Sequence, residues 1–241
     1  MSSAEFYDDF ITYQIKSGIN DRIYQLYKRL CKLGLSNDTH ILEIGCGIGT
    51  LTYLLSRKIK RGRIEAVDIS KKSIEFAKSI LKSPNISFFA ANILEFEPGF
   101  SAFDFLLLFD VIEHIPEEDH LRLFKKISGW MNPDATLFIN LPNPNYILFD
   151  QQFNPQSLQE IDQPVFIDRL TNTLAQAGLQ MEYFETYSVW VKQDYQFLII
   201  KKEKAFTEQS LQEGRNVFQK INIRFGRYFR KLIYRYPKKG K

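Results

Sequence analysis

The apolar positions of this chain change period several times, and each change marks an element. Ile15, Ile19, Ile23, Leu26 and Leu30 recur every three or four residues, which predicts a helical cap over residues 1–35. Short aliphatic runs then alternate with stretches of helical period. Strands are predicted at 41–44, 64–68, 86–90, 103–109 and 135–141, with helices at 50–59, 71–82 and 118–130 between them. That order implies βαβ units, hence an α/β fold with a mainly parallel sheet, doubly wound with helices on both faces. Residues 166–179 read as another helix closed by Gly178. Residues 180–191 and 194–202 read as two strands joined by a short turn, giving seven strands in all. Residues 142–165 fit neither period, and Pro142, Pro144, Pro155 and Pro164 argue against a continuous helix. A loop of this length leaving the carboxyl end of the fifth strand reads as a lid over a ligand, or otherwise as a structural excursion or dimer contact.

The sharpest change of pattern is ILEIGCGIGT at 41–50. A buried strand passes Glu43, breaks into Gly45-x-Gly47-x-Gly49 and resumes as a helix. A dinucleotide fingerprint would put its third glycine at position 50, where this chain has Thr50. The loop also carries no Lys or Arg for a pyrophosphate. With an acid two residues before the first glycine, it resembles motif I of the class I S-adenosylmethionine (SAM) methyltransferases. The resemblance implies a Rossmann-like fold with a reversed hairpin at the sheet edge, SAM as cofactor and S-adenosylhomocysteine (SAH) as product. It also implies that Gly45, Cys46, Gly47 and Gly49 pass close to the cofactor, where a Cβ would take its space. Nineteen residues beyond Gly49, RIEAVDI ends in Asp68, placed either to accept the ribose hydroxyls or to cap the next helix. Ile69 would then pack on the adenine. Asn92 and Ile93 stand where relatives commonly carry Asp and an aliphatic residue, and an amide there can still bond the adenine edge.

After the apolar run FLLLF comes DVIEHI, 110–115. It resembles the same segment of ubiquinone-biosynthesis O-methyltransferases and of many sugar and small-molecule relatives. The likeness extends over about residues 36–141. IDQP and YSVW further on resemble uncharacterised methyltransferases of bacterial surface-glycan gene clusters. By this likeness Phe109 and Asp110 lie beside the methionine half of SAM, and Tyr13 on the cap reaches its carboxylate. His114 is the candidate general base with Glu113 as a second catalytic candidate, since imidazole titrates near neutrality. A histidine at a helix start can equally bond a neighbouring carbonyl. His120 reads as part of an acidic exposed turn. Asp110, Glu113 and His114 also resemble the set that holds a divalent ion in some ubiquinone and RNA-end methyltransferases, although a metal is not the favoured reading.

Composition narrows the field. The chain has 241 residues, 44% of them hydrophobic and 15% aromatic, enough for one core with additions. The acidic start MSSAEFYDDF lacks the apolar stretch of a signal peptide, and the longest apolar run is too short to span a bilayer. Cys31 and Cys46 have neither metal nor redox spacing, so a reducing cytoplasm is expected. The net charge of +4 conceals a division. From Arg215 on there are ten basic residues and no acid, leaving 22 basic against 28 acidic residues before it. Phe218, Ile221, Phe225, Tyr228, Phe229, Leu232 and Tyr236 recur every three or four residues among those cations, predicting a basic amphipathic helix within 205–241. Such a helix suits an anionic membrane surface, docking on its own domain or on a second copy, or nucleic acid.

The expected protein is therefore a cytoplasmic SAM-dependent O-methyltransferase, its domain at 1–204 with a cap at 1–35 and an acceptor lid at 142–165. The expected acceptor is a hydroxyl or carboxyl of a sugar, glycan or natural product, as in biosynthesis. Nucleic-acid methylation is the alternative enzyme. DVIEH stands where base-modifying enzymes commonly carry Asn/Asp-Pro-Pro-aromatic, which argues against it. A non-catalytic SAM-fold scaffold is the alternative outside enzymes, and the intact glycine loop and Asp68 argue against that.

Overall fold

A computed structural model describes residues 11–158, 162–208 and 216–234. The acidic start, residues 159–161 of the 142–165 segment, and Arg215, Arg235 and Tyr236 of the tail lie outside these residues. The chain divides into two compact units, Met1–Glu203 and Lys204–Lys241.

In the first unit, a helical stretch at 11–17 precedes α1 (Asp21–Lys32). Then follow β1 (Ile41–Ile44), α2 (Thr50–Lys58), β2 (Ile64–Asp68), α3 (Lys71–Ile80), β3 (Ile86–Ala90) and β4 (Phe103–Phe109). The second half contributes α4 (His120–Trp130), β5 (Met131–Pro142), α5 (Pro144–Phe153), α6 (Ile167–Gln176), β6 (Leu179–Tyr187) and β7 (Tyr195–Lys202). The seven strands run in the order β3-β2-β1-β4-β5-β7-β6. All pairs from β3 to β5 are parallel, whereas β7 lies antiparallel between β5 and β6. Only β7 is therefore reversed, inserted between its neighbours.

The hydrophobic pattern explains the layers. Leu106, Leu108, Leu137 and Ile139 face α4 and α6, while Phe105, Leu107 and Phe138 face α1 and α2. Phe103 breaks the period of two, since it shares a face with Leu106 rather than with Phe105. The cause is local. Asp104 and Phe105 both donate their N–H to the His40 carbonyl, and the β4–β5 register shifts between Phe103 and Phe105. Such a bulge turns the strand over by one residue.

Three expectations need correction. The cap is not one helix: Gly18 turns left-handed at φ +54°, and Asn20 caps a new helix by accepting from the Ile23 N–H at 3.0 Å. Leu26 and Leu30 are buried on α1, whereas Ile15 before the break and Ile19 within it are exposed. The 142–165 segment is not a plain loop. Pro144 takes the first position of α5, where its missing N–H costs nothing, and Asn143 caps the helix. The prolines bracket a helix instead of preventing one. Finally, β6 ends at Tyr187, and 188–194 form an ordered loop in which the buried Asp194 carboxylate accepts from the N–H groups of Val189, Trp190 and Val191.

Candidate active site

Every parallel strand ends on the same edge of the sheet. The chain winds outward from β1 in one direction and from β4 in the other, so a crevice opens between their carboxyl ends. A cavity of about 610 Å³ lies there. Its floor is the glycine loop after β1, its sides are the tips of β2, β3 and β4, and its cover comes from residues 13–26.

Gly45, Gly47 and Gly49 all have left-handed backbones, at φ +77°, +52° and +82°. A Cβ on Gly45 would collide with the Val111 side chain, and one on Gly47 would approach Gln14 Nε2 at 2.9 Å. The glycines are thus required by conformation and by neighbouring protein atoms. Gly49 does not line the cavity; its backbone packs toward Ala77 and Leu81 of α3.

The other residues singled out in the sequence converge here. Tyr13, Gly45, Cys46, Gly47, Asp68, Ile69, Asn92, Ile93, Phe109, Asp110 and His114 all line the one cavity. Asp68 does not cap α3, because Ser70 does so by accepting from the Ser73 N–H. Its carboxylate instead accepts from Gly47 N at 2.7 Å and from Ser70 N at 2.9 Å, tying the tip of β2 to the glycine loop. Asn92 Oδ1 accepts from Leu94 N. Burial drives the Cys46 thiol well above its ordinary value, so it remains a neutral packing group.

DVIEHI forms a short 3-10 turn, Ile112–His114, at the cavity wall. Asp110 precedes it at φ +54° and pairs with Arg22 of α1 at 2.7 Å. Asn140 also donates to Asp110, Tyr187 donates to Asn140, and Arg22 donates to the Tyr195 hydroxyl. Burial pushes the Asp110 carboxyl upward, and Arg22 and Asn140 act against it. Burial disfavours the Arg22 charge, but Asp110 and Tyr195 outweigh it and hold the guanidinium above its usual range. His114 Nδ1 lies 3.1 Å from Asp162, and its Nε2 lies 4.0 Å from Glu113. Glu113 itself does not line the cavity. The turn directs it inward at 2% exposure, one carboxyl oxygen has no hydrogen-bond partner among the described residues, and burial raises it well above the carboxylate range. His120 is not exposed either. It is buried, with Nε2 at 2.8 Å from the Ile115 carbonyl and 3.2 Å from that of Ile112, so it braces the turn carrying His114. Gln163 of the lid segment adds a bond to the Ile115 carbonyl. Among the described residues no group of three His, Cys, Asp or Glu side chains is arranged to hold a metal ion.

Residues 41–134 match the family model described as a methyltransferase domain. This match and the fold support a class I SAM-dependent methyltransferase. Trans-aconitate 2-methyltransferase of Escherichia coli (strain K12 / DH10B) is 25% identical over 163 residues, covering 65% of this chain. That match spans 63% of the relative's own length. Among solved structures, magnesium protoporphyrin IX methyltransferase from Synechocystis PCC 6803 with bound SAH has a TM-score of 0.61 at 16% identity, covering 80% of this chain and 87% of that one. An S-adenosylmethionine dependent methyltransferase from Mesorhizobium loti gives 0.59 at 13% identity, with coverages of 71% and 94%. These likenesses agree with the methyltransferase fold of the sheet.

Several residues of the candidate site carried no motif. Arg22, Trp190 and Tyr195 line the cavity, and Asp162 reaches His114. Arg22 is legible only once the chain break before Asn20 aims α1 at the crevice. Trp190 depends on the Asp194 loop.

Glu43 offers a direct test of the electrostatics. Thr52 donates to it at 2.6 Å, yet burial pushes its carboxyl up to about 8 from 4.5. The folded chain then holds a proton that the unfolded chain has released, so this contribution to stability is complete below pH 4.5 and is lost as the pH rises through about 8. Urea denaturation across that window should show stability falling with pH in the wild type and a flatter profile in Glu43→Gln. Parallel profiles would contradict a neutral Glu43.

Proposed function

We propose that the protein transfers a methyl group from SAM to a hydroxyl oxygen of an uncharged sugar, glycan or natural-product molecule. The observation that carries this reading is His114 at the cavity wall with Nδ1 3.1 Å from the Asp162 carboxylate. A proton on Nδ1 donated to Asp162 leaves the lone pair on Nε2, the form a general base needs.

The cavity fits the cofactor. Its volume lies within the range of small-molecule sites. Asp68 would accept the ribose hydroxyls, Asn92 would meet the adenine edge between Ile69 and Ile93, and the Gly45–Gly47 backbone, Phe109 and Asp110 would border the methionine half. Tyr13 would reach toward the carboxylate from the cap. Bound SAM would supply an electrophilic methyl on a sulfonium. The acceptor oxygen forms the new C–O bond as the C–S bond breaks, SAH leaves, and His114 Nε2 takes the hydroxyl proton.

Charge selects hydroxyl over carboxyl. Arg22 is the one Lys or Arg among the described lining residues, and Asp110 already pairs with it. A polycarboxylate such as trans-aconitate would find no uncommitted cation there and would face Asp68 and Asp110. A carboxylate acceptor also needs no base, whereas a neutral hydroxyl does. Trp190, half exposed at the cavity, offers a flat apolar face of the kind that stacks on sugar or aromatic rings.

Two measurements test this reading. Asp68→Asn should weaken SAM binding about tenfold by calorimetry, because a charge-assisted bond is worth roughly 1.5–3 kcal/mol. Unchanged affinity would remove Asp68 from the cofactor site. On a panel of hydroxylated acceptors read by SAH release, His114→Ala should lower turnover by about 10²-fold or more, with SAM affinity unchanged. Asp162→Asn should lower kcat in the same direction by less. Full activity in His114→Ala, or turnover confined to polycarboxylates, would overturn the proposal.

A further inference from the structure

The second unit holds the feature that the methyltransferase chemistry does not use. Its helix, α7 (Val217–Ile233), begins with a complete capping box: Asn216 accepts from Gln219 N at 2.9 Å, and Gln219 accepts from Asn216 N at 3.2 Å. Such a reciprocal cap marks a helix with its own start signal. At 100° per residue, Phe218, Ile221, Phe225, Tyr228, Phe229 and Leu232 fall within an arc of about 100°. These six side chains are between 44% and 79% exposed. Lys220, Arg224, Arg227 and Arg230 occupy the opposite side, with Arg224 beside one edge of the apolar arc.

That arrangement is costly in water. Six large apolar side chains are left wet, and the cations stand three or four residues apart with no acid from Arg215 onward to separate them. Like charges at that spacing repel. One surroundings removes both costs: an interface that is apolar below and anionic above. The helix is about 25 Å long, and no helix among the described residues is long and apolar enough to cross a membrane. It can therefore lie on a bilayer but not span it.

We propose that α7 binds the surface of an anionic lipid membrane. The rings of Phe225, Tyr228 and Phe229 sink into the headgroup boundary. The stems of Arg224, Arg227 and Arg230 run along the apolar surface and place their guanidinium groups among the lipid phosphates. Neither half suffices alone. Apolar burial gives depth, and the charges give the preference for anionic lipid.

The full chain decides this in vesicle sedimentation. Phosphatidylcholine vesicles containing phosphatidylglycerol should carry the protein down at low salt, less so at high salt, and pure phosphatidylcholine vesicles should carry far less. Arg224→Gln/Arg227→Gln/Arg230→Gln should weaken binding to the anionic vesicles about 10²-fold. Phe225→Ser/Phe229→Ser, which keeps every cation, should also abolish it. Calorimetric SAM binding, equal in all three proteins, shows that the first unit remains folded. If the Phe variant binds the vesicles as well as wild type, the contact is charge alone and the proposal fails. It fails equally if the intact chain ignores anionic vesicles at low salt, whether it then binds a polyanion such as heparin or forms a dimer that the Phe variant loses.

Discussion

The ion pair between Arg22 and Asp110 holds the site together. Asp110 lies at the tip of β4 with a left-handed backbone that a non-glycine residue adopts only when its surroundings insist. What insists is a chain of partners from four further elements: Arg22 of α1, Asn140 of β5, Tyr187 of β6 and Tyr195 of β7. The cap, the parallel half of the sheet and the reversed strand therefore meet at one carboxylate. Arg29 lies two turns further along the same face of α1, its guanidinium 4.3 Å above the Tyr187 ring and paired with Glu185. A buried ion pair is weak evidence for stability, because both charges lose water. Removing one partner is different, at up to ~3–5 kcal/mol for a fully buried pair, less here because solvent still reaches a quarter of the Arg22 side chain. The pair is best understood as specifying where α1 sits, and α1 covers the cavity.

The carboxyl groups around that cavity show how surroundings divide one chemistry into several roles. Glu43 and Glu113 are nearly sealed and are pushed toward the neutral acid. Thr52 meets Glu43, while Glu113 keeps an oxygen without a partner among the described residues. Asp68 receives two backbone N–H groups, which suit an anion. Asp110 has a guanidinium and an amide. Counting acids in the sequence would suggest a strongly negative pocket. Asp68 and Asp110 line the cavity as acceptors of N–H groups, Glu43 lines it as a neutral acid bonded by Thr52, and Glu113 is turned away from it.

What the sequence revealed follows the same division between local and distant causes. β2, β3 and β4 span the predicted residues, because the aliphatic and aromatic positions of each stand out from the polar turns on either side. The glycine loop, Asp68 and DVIEHI lie at strand tips and were visible for that reason. Elements whose conformation depends on distant partners were not. The break at Gly18 competes with a helical pattern that continues through it. Pro144 looks like a helix breaker until it is seen to be the first residue of α5. His120 reads as one more polar residue among acids until the Ile112 and Ile115 carbonyls turn toward it. Asp162 lies forty-eight residues from His114 and shares no motif with it, so only folding brings the two together.

The charge division along the chain bears on how the two units act. Through residue 214 the excess is acidic, and from Arg215 on it is entirely basic. An isoelectric point near 8.9 averages the two and describes neither. At physiological ionic strength, exposed charges separated by more than about 8 Å are largely screened from each other. The cations of α7 therefore act on whatever lies within a few ångströms of the helix. Screening also limits what those cations can do alone, since isolated surface charges contribute little at that salt. The apolar arc beside them supplies an attraction that salt does not screen, and aromatic rings rather than further lysines occupy it. A segment selected only to hold a polyanion would have no use for six wet apolar side chains on one side. Their cost is offset only where there is hydrocarbon to receive them.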